Sequence, residues 1–266
     1  MWNTDGTFYG YTSIAPTNGS GTTPLVFVHG VGLDHESWEY VRADFDGRAT
    51  LVYDLLGHGR TKQTLHEQSF EPFKNQLDVL IRELDLTQVV LVGFSLGGLV
   101  AAHYAASRPQ SVKSLALIST AYQRTNAERQ AIAKRLQQAK DGEWDGLSAA
   151  ALDRWFSPEF LDANPGVRQN ISLRLQENIP GDFLASYELL ANSDQHPLDY
   201  PSITMPTLIL TGDGDVGSTP EMARGMERVI PNARCEIISK AKHFCIIENH
   251  DAISASIKRF LEESPA

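Results

Sequence analysis

Apolar residues in this chain fall into short unbroken runs, separated by longer stretches where they recur every third or fourth position. The unbroken runs are "PLVFVH" (Pro24–His29), "TLVYD" (Thr50–Asp54), "VVLVGF" (Val89–Phe94), "SLALIST" (Ser114–Thr120), "TLILTG" (Thr207–Gly212) and "CEIIS" (Cys235–Ser239). A run that is apolar at every position predicts a strand covered on both faces, the usual state of a parallel sheet. "GTFYGYTSI", from Gly6 to Ile14, alternates instead and predicts an antiparallel edge. Between the strands, "SFEPFKNQLDVLIRELDL", "LVAAHYAASRP", "STPEMARGMERVI" and "DAISASIKRFLEES" carry helical spacing and open on capping or acidic residues. The alternation predicts an α/β fold: an open, mostly parallel sheet with helices on both faces.

One stretch breaks the rhythm. From Ala121 to Leu198 no strand pattern occurs, only helical segments punctuated by "DG", "SP", "NPG" and "IPGD". That is too long for a plain connection. It is expected to be a helical cap of four or five short helices, residues 121–198, inserted into a core of residues 1–120 and 199–266. Arg154, Trp155 and Phe156, with Phe160, Phe183 and Tyr187, are its candidates for lining a pocket.

Composition narrows the function. The 266 residues are 42% hydrophobic, enough for a full core. Lys and Arg total 23 against 33 Asp and Glu, a net charge of −10, which disfavours nucleic acid and anionic membranes as partners. No apolar run approaches the ~20 residues of a membrane-spanning helix. "MWNTDGTFYG" has neither the basic nor the apolar region of a secretory signal. Cys235 and Cys245 are the two cysteines, expected as free thiols in a reducing cytoplasm. No metal-ligand spacing or cofactor motif is present, so no metal and no cofactor are expected. The expected partner is a small-molecule substrate, and nothing in the sequence selects between monomer and homo-oligomer.

The chemistry centres on "GFSLGG", Gly93–Gly98, between a buried strand and a helix. G-x-S-x-G in that context makes a sharp turn that pushes the serine hydroxyl out at the carboxyl edge of the sheet. The bare pattern also fits a small-residue helix cap, so its partners decide. A serine needs a base, usually a histidine oriented by a carboxylate. On this kind of sheet the acid follows a later strand and the histidine precedes the final helix. "GDGDVGSTP" supplies Asp213 and Asp215, with Asp215 preferred and Asp213 a helper or turn residue; "KAKHF" supplies His243. His250, His196, His58 and His29 are expected to be a helix-start, a cap, a turn and a loop-ordering residue. Ser95, Asp215 and His243 are therefore the expected catalytic residues. The expected oxyanion hole is formed by the N–H groups of Leu96 and of Val31 in "HGVG", with Gly32 the fallback.

With "HGVGLDHESW", "DLLGHGRT", "GFSLGG", "GDGDVGSTP" and "KAKHF…ENHDAISASIKRFL" in place, the chain resembles the α/β-hydrolase superfamily. Its cap segment, from "RWFSPEF" to "LLANSD", resembles that of 3-oxoadipate enol-lactonases and related hydrolases of ring-breakdown intermediates. The resemblance implies metal-free hydrolysis of an ester, lactone or vinylogous amide in a small, carboxylate-bearing substrate. Many enol-lactonases have an arginine before "GHG", where this chain has Leu56. Arg60, Arg154 and Arg174 are the cations considered for the substrate carboxylate. The favoured reading is a serine esterase or lactonase. The alternatives are C–N or C–C bond hydrolysis of a ring-fission product, and a non-catalytic ligand-binding member of the fold.

Overall fold

A computed structural model describes residues 1–13 and 23–264. Seven strands form one sheet: β1 (Tyr9–Thr12), β2 (Leu25–Val28), β3 (Thr50–Tyr53), β4 (Val89–Phe94), β5 (Val112–Ile118), β6 (Thr207–Gly212) and β7 (Ala233–Ile238). Their spatial order is β1-β3-β2-β4-β5-β6-β7. β1 runs antiparallel to β3 and every other pair is parallel. The alternating N-terminal stretch thus forms the expected antiparallel edge, with its last residue, Ile14, outside the described residues. The six buried runs all become parallel strands.

The unbroken apolar character has a direct cause. Along β2, Val26 and Val28 join one hydrophobic cluster while Leu25 and Phe27 join another, and β3 and β4 divide in the same way. Successive side chains of a strand point to opposite faces, so a sheet covered on both sides must be apolar at consecutive positions. One face packs against α2 (Glu71–Glu83), α3 (Leu96–Ser107) and α9 (Pro220–Val229), through residues such as Phe73, Val100 and Met226. The other packs against α1 (Glu39–Ala43) and α11 (His250–Glu263), through Val41, Ile253 and Ile257. No helix among the described residues is long and apolar enough to cross a membrane.

Between β5 and β6 the chain forms five α-helices: α4 (Asn126–Lys140), α5 (Trp144–Trp155), α6 (Pro158–Ala163), α7 (Pro165–Gln176) and α8 (Pro180–Ala191). Their starts follow from local chemistry. Thr125 and Glu128 make a reciprocal capping box on α4, Ser157 caps α6, and proline occupies the first turn of α6, α7 and α8. A four-residue helix, α10 (Cys245–Glu248), precedes α11 and has no counterpart in the sequence reading.

The strand order also locates a crevice. From β2 the chain steps to β3 on one side, then returns to place β4 on the other side of β2. Connections that diverge in this way leave an opening beyond the carboxyl ends of β2 and β4, where open α/β sheets bind ligands.

Candidate active site

Ser95 sits in that opening, at the end of β4. Its backbone is at φ 54°, ψ −115°, a conformation that residues with a side chain rarely adopt. The turn is held from both sides: Ser95 N–H donates to Ile118 O at 2.9 Å, and Ser95 O accepts from Gly98 N–H at 3.0 Å. The flanking glycines are demanded by space. A Cβ on Gly93 would lie on the Gly97 carbonyl, and one on Gly97 would lie on the carbonyls of Val28 and His29. Only 7% of Ser95 is exposed.

His243 reaches Ser95 from the loop between β7 and α10. Its Nε2 lies 3.1 Å from Ser95 Oγ, and its Nδ1 lies 2.8 Å from Asp215 Oδ2. The ring rests on Phe94, and Ser119 Oγ donates to the His243 carbonyl at 2.9 Å. A carboxylate only accepts, so the bond to Asp215 puts the imidazole proton on Nδ1 and leaves the Nε2 lone pair facing the serine hydroxyl.

Asp215, in the loop after β6, is 3% exposed. Burial on its own would raise its pKa and is the largest single influence. The adjacent His243 ring and the N–H groups of Ser218 and Gly217, which donate to Oδ1 at 2.9 and 2.8 Å, outweigh it and hold the carboxyl below its ordinary range. Asp213 points elsewhere. It accepts from Lys240 N–H and Ala241 N–H at 3.1 and 3.3 Å, tying the acid loop to the histidine loop as a turn residue.

The strand-end loop "HGVG" closes over the serine. His29 is fully buried and held neutral, its pKa pushed down to about 3, chiefly by burial and then by neighbouring His58. Its Nε2 accepts from Leu55 N–H at 2.9 Å, so Nδ1 carries the proton and donates to Gly30 O at 2.8 Å. That carbonyl shares its peptide unit with the Val31 N–H, so His29 fixes the direction of this donor. Neither Val31 N–H nor Leu96 N–H finds an acceptor among the described residues. Gly32 is turned away. It sits at φ 75° against Phe183 and Leu175, and its carbonyl accepts from Asn178 Nδ2 at 2.9 Å.

A cavity of about 90 Å³ adjoins these groups, lined by Val31, Ser95 and His243 below and by Trp155, Arg154 and Tyr187 from the inserted helices. Two further arginines, Arg124 and Arg135, contribute to its wall. Arg124 is satisfied by Asp194 at 3.2 Å and Ser193 Oγ at 2.8 Å. Among the described residues, Arg135 donates only to the Tyr187 hydroxyl, at 3.2 Å. Arg154 has no hydrogen-bond or ion-pair partner among the described residues. Burial and then the neighbouring Arg135 cation hold its pKa below the ordinary arginine value. Two half-buried guanidiniums, neither paired with a carboxylate among the described residues, thus face the cavity that contains the serine.

Several expectations need correction. Phe156 does not line the pocket: it is 1% exposed and packs in the core, stacked on Phe160 and against Phe244. α5 ends at Trp155, so the two neighbouring aromatics leave the helix in different directions. Phe183 lines an adjoining cavity and not the one at Ser95. Arg60 is an exposed residue beside Glu36, and Arg174 pairs with Asp34 and Glu177. Of the three arginines considered, only Arg154 faces the serine. His58 donates to Leu56 O within its turn, His196 packs on Phe70, and His250 lies beside Asp44 and Asp251. Sequence reasoning missed Arg135, Arg124, Ser119 and Glu248, each of which acquires its place only through tertiary packing.

The sequence model of the family described as "alpha/beta hydrolase fold" matches residues 23–250. Among similar proteins, (E)-2-((N-methylformamido)methylene)succinate hydrolase of Acinetobacter baylyi is 27% identical over 91% of each chain. The 3-oxoadipate enol-lactonase 2 of the same organism is 25% identical over 89% of each. Among solved structures, the enol-lactonase from Burkholderia xenovorans LB400 superposes with a TM-score of 0.84, covering 97% of this chain and 98% of its own, at 24% identity. That is a likeness of fold.

Proposed function

The chain belongs to the α/β-hydrolase fold family, and from that premise we propose that it is a serine hydrolase cleaving an ester or lactone bond in a small, carboxylate-bearing substrate. The observation that carries the reading is the continuous hydrogen-bonded line from Ser95 Oγ through His243 to the buried Asp215. His243 Nε2 takes the hydroxyl proton as Ser95 Oγ attacks the carbonyl carbon. The carbonyl oxygen becomes an oxyanion facing the N–H groups of Val31 and Leu96. His243 then protonates the departing alkoxide or enolate oxygen, leaving an acyl-serine. Water attacks that ester and gives its proton to His243, which returns it to Ser95 Oγ as the acyl–oxygen bond breaks and the acid is released.

The carboxylate requirement rests on Arg135 and Arg154. A cation desolvated without a partner is unfavourable, and an incoming carboxylate relieves that for both guanidiniums. A second reading keeps the same residues and cleaves a C–N bond. What supports it is the 27% identical Acinetobacter relative, whose name specifies an N-methylformamido group on a succinate.

The test compares hydrolysis of ethyl hydrogen succinate and of neutral diethyl succinate, followed by proton release. Ser95→Ala is expected to lose both by a factor of ~10⁴–10⁶. Arg135→Met/Arg154→Met is expected to lower kcat/KM for the hemiester ~10–100-fold more than for the diester, as losing charge-assisted hydrogen bonds implies. Wild-type rates from Ser95→Ala would refute the nucleophile. An unchanged hemiester-to-diester ratio in the double variant would refute the carboxylate site. N-methylsuccinamate hydrolysed faster than the hemiester would establish the C–N reading in its place.

A further inference from the structure

A second cavity, of about 310 Å³, opens beside the one at Ser95, and the two share Val31, Arg154, Trp155 and Tyr187 as a common wall. The serine chamber alone, at about 90 Å³, falls well below the ~300 Å³ at which ligand pockets usually begin.

The wall chemistry of the second chamber is distinctive. Trp144, Phe183 and Tyr187 form a ladder of rings: Trp144 meets Phe183 edge-on at 5.7 Å, and Phe183 stacks on Tyr187 at 5.2 Å. All three are only partly buried, whereas the core aromatics Trp38, Phe27 and Phe73 are fully covered. Leu147, Ala151 and Leu175 add hydrocarbon. Besides Arg154 in the shared wall and the Ser148 hydroxyl, the polar side chains are exposed or already engaged. Asp145 and Gln176 are exposed, and Asn178 donates to Gly32 O while its Oδ1 accepts from Arg174. The ladder runs from Trp144 through Phe183 to Tyr187, whose hydroxyl accepts from Arg135 at the boundary between chambers.

From this arrangement we infer that the second chamber is a subsite for an apolar, ring-sized group of the substrate, attached next to the carboxylate that Arg135 and Arg154 hold. The inference rests on the carboxylate-bearing substrate proposed above and specifies its other half. Aromatic faces and edges with uncovered surface favour a planar ring in offset or edge-on contact. Because Arg154 lies in the dividing wall and Arg135 donates to the wall residue Tyr187 from the serine side, the ligand carries its charge in the middle: scissile carbonyl on the serine side, carboxylate at the partition, ring beyond it.

Calorimetry on Ser95→Ala, with benzylsuccinate and succinate as probes, tests this without turnover. Benzylsuccinate is expected to bind at least tenfold more tightly, with a more negative heat-capacity change from apolar burial. Ser148→Trp, which fills the chamber from α5, is expected to reduce that advantage below threefold. Trp144→Ala, which removes the first rung of the ladder, provides a second variant with a loss in the same direction. Equal affinities for the two probes, or an advantage that survives in both variants, would overturn the subsite. Absence of Ser95-dependent hydrolysis in the wild type would sink the hydrolase reading and leave this binding result standing by itself.

Discussion

Ser95 is held in a conformation that its own Cβ opposes. At φ 54°, ψ −115° a residue with a side chain carries about 1–3 kcal/mol of strain, offset by the surrounding hydrogen bonds and packing. Ser95→Gly removes the Cβ, whereas Ser95→Ala keeps it. Thermal unfolding is expected to place Ser95→Gly about 2–4 °C above Ser95→Ala, roughly 1 kcal/mol net of the extra chain entropy of glycine. Equal midpoints would show that the turn is relaxed. At this scale the machinery was legible to the extent that it sits at strand ends. Ser95 directly follows an unbroken apolar run, Asp215 stands in the short loop after another, and His243 falls between the last run and the last helix. Arg135 was not legible, because one more arginine on a polar helix looks like any exposed residue until α8 brings Tyr187 against it.

Among elements, the inserted helices grip both loops that carry the chemistry. Asn178 holds Gly32 O, and Arg174 reaches Asp34 at 3.5 Å, on the loop that carries the Val31 donor. On the other side, Phe244 N–H donates to Trp155 O at 3.0 Å, and the Glu248 carboxylate accepts from Ser157 N–H at 2.7 Å and Lys242 N–H at 2.6 Å. Glu248 therefore joins Ser157, the cap of α6, to the residue before His243. Hydrogen bonds to a charged group contribute about 1.5–3 kcal/mol each when partly buried. Glu248→Ala is expected to cost about 2–4 kcal/mol in urea unfolding and to lower kcat about tenfold, with KM less affected. Unchanged kcat in a folded variant would mean that His243 is positioned without the helices. The existence of these five helices followed from the length of the strand-free stretch and from its turn residues. Their facing did not, because α5 ends at Trp155 and the extended backbone at Phe156 turns that ring into the core, away from the pocket.

For the molecule as a whole, buried neutral histidines set an acid limit. His29 is pushed down to about 3 and His58 to about 4, in both cases chiefly by burial, while an unfolded histidine titrates near 6.5. Below pH 6.5 the unfolded chain binds protons that the folded chain refuses, so stability present above that pH is lost as pH falls toward 4. The slope approaches about 1.4 kcal/mol per pH unit for each histidine. Asp54 adds to the loss at lower pH: burial, the largest influence, would raise its pKa, but the hydrogen bond from His35, the Arg60 N–H and the neighbouring imidazoles together hold it below its ordinary value. His35 acts in the opposite sense. Burial would lower its pKa, but Asp54 raises it on balance, so its contribution is complete below pH 6.5 and declines as pH rises through its folded value. Urea unfolding at pH 7.5, 6.5, 5.5 and 4.5 is expected to show a maximum near neutrality and a steep acid limb. A flat profile from pH 6.5 to 4.5 would contradict the neutral state of His29 and His58.

β5 and β6 are hydrogen-bonded neighbours, with Leu115 opposite Thr207. Everything from Ser119 to Pro206 consequently departs from the sheet and rejoins it at one seam. The entropic cost of closing such an excursion grows only with the logarithm of its length, about 0.6 kcal/mol per doubling. The seam makes the chain modular: a transplanted segment of different length and lining enters and leaves at the same two strands without shifting their register. The lining can be exchanged as a cassette, provided that the new segment keeps the contacts that hold the Val31 and His243 loops.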